Sequence, residues 1–205
     1  MNKQAETPIP TQWGNFRMIA YSASNNERMP HLAMVHESFE PGKTTLVRIH
    51  SECLTGDLFG SKRCDCGEQL DESMKQAALN GGVVIYLRQE GRGIGLINKL
   101  KAYNLQDDGL NTVDANTHLG LEVDARHYDP AIAILKDLQI QSIDLLTNNP
   151  LKIEAIKDSD IEIRRRLALV IPPKKENLAY LKTKEEQMGH LYHINGNIKS
   201  TSAKF

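Results

Sequence analysis

Several features are scarce in this chain of 205 residues, and each scarcity narrows the field. No apolar run exceeds five residues, 83–87 being one of them, against the roughly 20 that a membrane-crossing helix requires. The opening MNKQAETPIPTQWG lacks the apolar core of a secretory signal. Neither sign of charge is in excess: 25 Lys and Arg against 26 Asp and Glu leave a net −1. That balance gives no bulk electrostatic reason to bind nucleic acid or an anionic membrane. There is no internal repeat, no low-complexity tract and no linker rich in Pro, Gly or Ser. Cysteine is scarce too, with three in all, every one between positions 53 and 66. An odd, clustered set fits neither a disulfide framework nor three unrelated core thiols, so metal binding is the leading reading. The expectation is a cytoplasmic protein acting on a small molecule.

What is present fits a globular chain, with 40% hydrophobic and 25% charged residues. The first twelve residues are polar with two prolines and read as a flexible segment; 192–205 reads as a flexible tail. Between them, 13–191 reads as one domain. Strands are expected at 16–21, 31–36 and 44–50, where Val47 and Ile49 alternate with Arg48 and His50. A helix over 68–79 is closed by Asn80-Gly81-Gly82, and the unbroken run 83–87 reads as a buried central strand. Helices at 94–103, 130–138, 150–156 and 178–189 alternate with strands at 143–146 and 161–165. Such alternation predicts a single layered α/β/α domain, and the antiparallel start predicts a mixed β-sheet.

Four strings carry candidate chemistry. The first joins RIHSECLTGD (48–57) to RCDCGEQL (63–70). Zinc prefers four tetrahedral ligands, so Cys53, Cys64 and Cys66 leave one position for water, as a catalytic site requires. A closed structural site with His50 as fourth ligand is the alternative. The second, RQEGRGIGL (88–96), sits between a strand and a helix. Its glycines permit close backbone approach to an anion and its arginines suit phosphate. It is not a dinucleotide fingerprint, since Leu96 stands where a glycine is needed, and Gly42-Lys43-Thr44 is no P-loop because Glu37 replaces the first glycine. The third string runs from NTVDAN (111–116) to DARHY (124–128), where Asp124 and Arg126 are either an ion pair or a working pair. The fourth, LTNNPLK (146–152), is a capped helix start whose Lys152 opposes the helix dipole and so favours a bound anion.

These strings, with the late TKEEQMGHL (183–191), resemble the GTP cyclohydrolase II family of riboflavin biosynthesis from about residue 13 to 191. The resemblance implies a homodimeric enzyme with one zinc per chain, magnesium on the nucleotide phosphates and GTP as substrate. It also implies that guanine is opened at C8 with loss of formate and that pyrophosphate is released. Many relatives carry a dihydroxybutanone-phosphate synthase domain ahead of this one; about a dozen residues precede the first block here, so that activity is not expected.

The resemblance assigns zinc to Cys53, Cys64 and Cys66, with water as the fourth ligand. Arg48, Ile49, His50, Ser51, Glu52 and Gln69 would line the GTP site, with Glu90, Gly91, Arg92, Thr112, Thr147 and Lys152. Asp124 resembles the family's proton acceptor and Arg126 the residue that attacks the α-phosphorus. A guanidinium stays protonated at neutral pH, so an electrostatic clamp is the alternative for Arg126. Asp114, a shorter side chain, stands where many relatives have glutamate, at a position expected to support the site or contact the base. RRRLAL (164–169) departs from the family's usual run, and Tyr103 is the aromatic expected to bear on formate loss. Two rivals remain. His50-Ser51-Glu52 matches the H-x-E of zinc deaminases, although Cys64 and Cys66 are too close for the partner P-C-x-x-C. A non-catalytic GTP-binding paralogue with a structural zinc is the other.

Overall fold

A computed structural model describes residues 1–191; the tail expected at 192–205 lies outside the described residues. Seven strands form one sheet: β1 (Asn2–Thr11), β2 (Gly14–Ser22), β3 (His31–His36), β4 (Thr45–Ser51), β5 (Val83–Leu87), β6 (Ser142–Leu146) and β7 (Glu162–Leu167). Their order is β1-β2-β3-β5-β4-β6-β7. The β1–β2, β2–β3 and β3–β5 pairs are antiparallel, whereas β5–β4, β4–β6 and β6–β7 are parallel. The sheet is therefore mixed, as expected. The helices are α1 (Leu54–Asp57), α2 (Cys66–Asn80), α3 (Leu96–Asp107), α4 (Thr112–His118), α5 (Asp129–Asp137), α6 (Pro150–Lys157) and α7 (Leu178–Met188). No helix among the described residues is long and apolar enough to cross a membrane.

Alternation along the strands sorts the two faces. Val47 and Ile49 of β4, with Val83 and Ile85 of β5, pack in one cluster with Ile134 and Leu135 of α5 and Ile153 and Ile156 of α6. On the other face Leu46, Val84 and Phe16 pack with Met74 and Ala77 of α2. Helices on both faces of the sheet give the expected α/β/α layering.

Three elements differ from the sequence reading. The segment 1–12 was expected to be flexible, yet residues 2–11 form β1, paired with β2 from Asn2↔Ser22 to Thr11↔Gly14. Most of β1 is exposed and it lies at the sheet edge, where Pro8 and Pro10 are tolerated because an edge strand need not donate every N–H. With little of it buried, β1 needs no apolar alternation, so the pattern that betrays other strands was missing. The second is β4, for whose polar side the sequence reading gave no burial: Arg48 and His50 are 5% and 2% exposed, beneath α1 and α2. The third is α4, where Asn111 caps by accepting from the N–H groups of Val113 and Asp114, both at 2.9 Å.

Ile85 is fully buried at the centre of the sheet. Ile85→Ala should lower unfolding free energy by about 3 kcal/mol; urea denaturation checks it, and a loss below 1 kcal/mol would contradict a close-packed core.

Candidate active site

The parallel strands β4, β5 and β6 end on the same side, and their loops enclose a cavity of about 990 Å³, its open mouth included. Ligands bind at this end of open α/β sheets because the loops there diverge. One corner of the cavity is sulfur and much of its remaining wall is cationic.

Cys53 precedes α1, Cys64 lies in the following loop and Cys66 opens α2. Their sulfur atoms all lie within 4.8 Å of one another, with Cys53 and Cys64 at 3.7 Å. Gly56 makes this possible: a Cβ there would sit 2.8 Å from Cys64 Sγ and 3.2 Å from Cys53 Sγ. Gly67 plays the same part for the backbone, since its Cβ would come within 2.4 Å of the Gly56 carbonyl oxygen. Hydrogen bonds from the Cys64 and Cys66 thiols, with Lys99 adding its charge, push Cys53 far below the ordinary thiol range. The Cys53 sulfur in turn pushes Cys64 up to about 11 and Cys66 upward as well. Three soft donors competing over their protons at this spacing suit a thiophilic cation, which would let all three ionise together.

Asp57, the last residue of the first string, had no assigned role, yet it organises this corner. It accepts from the Cys53 N–H at 2.9 Å and the Tyr86 hydroxyl at 2.9 Å, and His50 Nε2 lies 3.0 Å from its other oxygen. The His50 ring also stacks on Tyr86, with centroids 5.4 Å apart. Burial lowers the His50 pKa despite Asp57, so the imidazole is neutral. With Nε2 engaged by Asp57, His50 stands outside the sulfur cluster, against the closed four-ligand alternative. Spacing alone offered one signal, the carboxylate seven residues after a histidine, and it is a weak one.

Glu90 links the sulfur corner to the glycine-rich loop. Its carboxylate accepts from Leu54 N–H at 2.6 Å, Gly91 N–H at 2.7 Å and Lys99 Nζ at 2.8 Å. Lys99 also donates to Cys53 Sγ at 3.0 Å. The segment Glu90–Gly93 is a 3₁₀ turn in which Gly91 and Arg92 take φ of 62° and 60°. For arginine this is a strained conformation, held here by the carbonyl of Arg92 accepting from Ala125 N–H at 3.0 Å. Gly93 allows that approach, because a Cβ would lie 2.8 Å from the Ala125 carbonyl oxygen. The second and third strings are thereby joined.

The opposite wall is cationic. Arg126 donates to both oxygens of Asp124, Nε at 2.7 Å and Nη2 closer still. Burial works against its charge, but Asp124 outweighs burial and holds Arg126 above its ordinary value. Arg48 donates to the Leu146 carbonyl at 3.1 Å and to Gln69 at 2.6 Å, and Lys152 Nζ to the Ile49 carbonyl at 2.7 Å. Burial, then Arg48, Arg126 and Lys184, push Lys152 well below its ordinary 10.5. Burial and the same kind of cationic surroundings push His190 down to about 2.

The structure brings to one cavity wall Arg48, His50, Ser51, Glu52, Gln69, Glu90, Gly91, Arg92, Thr112, Arg126, Thr147 and Lys152, together with the three cysteines. Ile49 and Asp124 stand behind that wall. The Ile49 side chain is in the core, and its backbone carbonyl accepts from Lys152; Asp124 holds Arg126. Asp114 is exposed and does not line the cavity; it accepts from Asn111 at the α4 cap, next to Thr112, which does. Tyr103 does line the cavity, its ring 5.8 Å from Lys99 Nζ. The altered run 164–169 reaches the site through Arg166, which donates to the Thr147 carbonyl at 3.2 Å, while Arg164 and Arg165 both pair with Asp144. Lys99 and Tyr180, which lie in none of the quoted strings, also line the cavity, as do Lys184 and His190 of TKEEQMGHL (183–191), to which no individual role was given.

The sequence model described as GTP cyclohydrolase II matches residues 2–168. The chain belongs to the GTP cyclohydrolase II family. Among its relatives are riboflavin biosynthesis proteins RibBA of Bacillus cereus (strain ATCC 14579) and Bacillus mycoides (strain KBAB4). Each is 49% identical over 195 residues, covering 95% of this chain and 49% of the relative. The chain thus spans about half the length of the curated relatives it matches. Among solved structures, RibBX, a two-domain 3,4-dihydroxy-2-butanone 4-phosphate synthase from A. baumannii, aligns with a TM-score of 0.44 and 19% identity. That alignment covers 82% of this chain and 39% of the other.

In this family member the sulfur corner should not depend on His50. His50→Ala should retain metal by elemental analysis, whereas Gly56→Ala should lose most of it, since the added methyl intrudes between sulfurs; metal loss in the histidine variant would restore the closed-site alternative.

Proposed function

We propose that the chain is a zinc-dependent GTP cyclohydrolase II. It hydrolyses GTP with three waters to formate, pyrophosphate and 2,5-diamino-6-(5-phospho-D-ribosylamino)pyrimidin-4(3H)-one, the first step of riboflavin biosynthesis. The observation that carries the proposal is the meeting, in one cavity, of a three-sulfur corner and a wall of buried cations. Family membership and the RibBA relatives support it. A cytoplasmic homodimer, with magnesium on the nucleotide phosphates, completes the reading.

Cys53, Cys64 and Cys66 would hold the zinc. Zinc held there supplies Lewis acidity at neutral pH, the chemistry needed for water to attack guanine C8, an electrophilic carbon between two nitrogens. Lys99 offsets the negative charge of a three-thiolate corner through its bond to Cys53, and Asp57 fixes the Cys53 backbone. Arg48, Arg126 and Lys152 face the triphosphate, where phosphate oxygens replace the repulsion they now exert on one another. Arg126 serves as the clamp on the α-phosphate rather than as its attacker. Its pairing with Asp124 strengthens protonation, and a protonated guanidinium has no lone pair to offer. Both Asp124 oxygens accept from Arg126, so that carboxylate acts by aiming the clamp. Glu90, Gly91 and Arg92 present the loop to the nucleotide, with Ser51, Glu52, Gln69, Thr112 and Thr147 around it.

Two measurements test this. Incubation with GTP and Mg²⁺ should give formate and pyrophosphate in equal amounts, and Cys64→Ser should lose formate together with zinc. Pyrophosphate alone would remove the ring-opening step, and ammonia would favour a deaminase. The second concerns protons. Lys152, facing Arg48, Arg126, Lys184 and Asp124, has a depressed pKa that a bound anion raises. Binding should therefore take up a proton, and affinity should fall as pH rises through the free-state pKa. Calorimetry of pyrophosphate binding in buffers of different ionisation enthalpy reads that uptake; no uptake in the unaltered chain would mean that Lys152 does not meet the anion.

A further inference from the structure

We infer that α7 supplies part of the substrate site, with Lys184 as a binding residue for the phosphate groups of the nucleotide. This rests on reading the cavity as a nucleotide site. The family model matches residues 2–168, and α7 follows that segment within the 95% of the chain that the RibBA relatives cover.

Three observations place the helix in the site. First, Tyr180, Lys184 and His190 line the cavity, while Leu181 is buried at 2% exposure and anchors the helix. A helix that merely covered a core face would send apolar side chains there; this one sends a phenol and an ammonium, and the residue after its C-cap adds an imidazole. Second, α7 is fastened to loops on both sides of the cavity. Arg92 Nη2 donates to the Tyr180 hydroxyl at 3.3 Å, joining α7 to the glycine-rich loop. At its other end Gly189 turns the chain at φ 64°, His190 N–H donates to the Lys184 carbonyl at 3.0 Å, and Leu191 N–H to the Asn148 carbonyl at 2.9 Å. Asn148 follows Thr147 in the loop that leads to Lys152, so the helix spans the two strings expected to hold the nucleotide. Third, Lys184 is 8% exposed, stands 4.5 Å from the centre of the Tyr180 ring, and makes a long 3.5 Å ion pair with Asp65. Asp65 also accepts from Gln69, whose amide oxygen holds Arg48. Lys184 and Arg48 therefore share one hydrogen-bonded chain and stand beside the same cavity. A triphosphate offers enough charge to meet Arg48, Arg126, Lys152 and Lys184 together.

The test uses the full, metal-loaded chain. Lys184→Met should weaken pyrophosphate binding in calorimetry roughly tenfold or more, and raise KM for GTP more than it lowers kcat. Zinc content and Tm should stay close to those of the unaltered chain. Lys184→Arg should restore most of the affinity, and Lys182→Met, exposed on the same helix, should change nothing. Pyrophosphate affinity within about twofold of the unaltered chain in Lys184→Met overturns the inference. So does a loss that tracks falling Tm and zinc and is not rescued by arginine, because Lys184 would then be a structural partner of Asp65. An unaltered chain that binds neither pyrophosphate nor GTP would instead reject the nucleotide reading itself.

Discussion

A charged side chain buried on a central strand constrains everything around it. Arg48 sits on β4, between two parallel neighbours, at 5% exposure. An isolated guanidinium in such a place is costly, so its donors must be met. Gln69 and the Leu146 carbonyl meet two of them, which fixes the first turns of α2 and the end of β6 relative to β4. That same start of α2 carries Cys66, and the chain after β6 carries Thr147 and Lys152. The position of the sulfur corner relative to the cationic wall is thus set largely by how one arginine is satisfied.

The division of labour along β4 follows from pleating. Val47 and Ile49 enter the core under α5 and α6; Arg48 and His50 enter the other layer, one toward the cavity and one toward Asp57. Two adjacent side chains of one strand therefore serve the two halves of the site. A register slip of one residue would bury two polar heads, one of them charged, in the aliphatic core and empty the cavity wall at once. Stability and function are coupled here through geometry rather than through any single strong contact.

Much of this was legible from residue pattern. The buried run 83–87 and the strand 31–36 lie within the bounds expected, since β-branched continuity and flanking turns are strong local signals. The cysteine cluster declared itself because scarcity made it conspicuous. What stayed hidden depended on partners distant in sequence. Strand β1 is defined by its pairing to β2, which edge exposure leaves without a hydrophobic signature. Asp57 acquires its role from Tyr86, 29 residues away, and Lys99 from Cys53, 46 residues away. Asp114 left two roles open in the sequence, and the fold turns it outward to hold the cap of α4. Even the arginine-rich run 164–169 makes sense in three dimensions, because two of its side chains, on the edge strand β7, neutralise Asp144 of β6 and the third supports the loop after β6.

The chain order of the cavity wall has a consequence for biogenesis. All seven strands and the three cysteines are encoded before Leu178, whereas Tyr180, Lys184 and His190 come after. Folding during translation proceeds from the N-terminal side. The sheet and the sulfur corner can consequently be assembled while the ribosome still holds the last wall of the cavity. A nascent chain at that stage has its three sulfurs in place while the side of the cavity that carries Tyr180 and Lys184 is still missing.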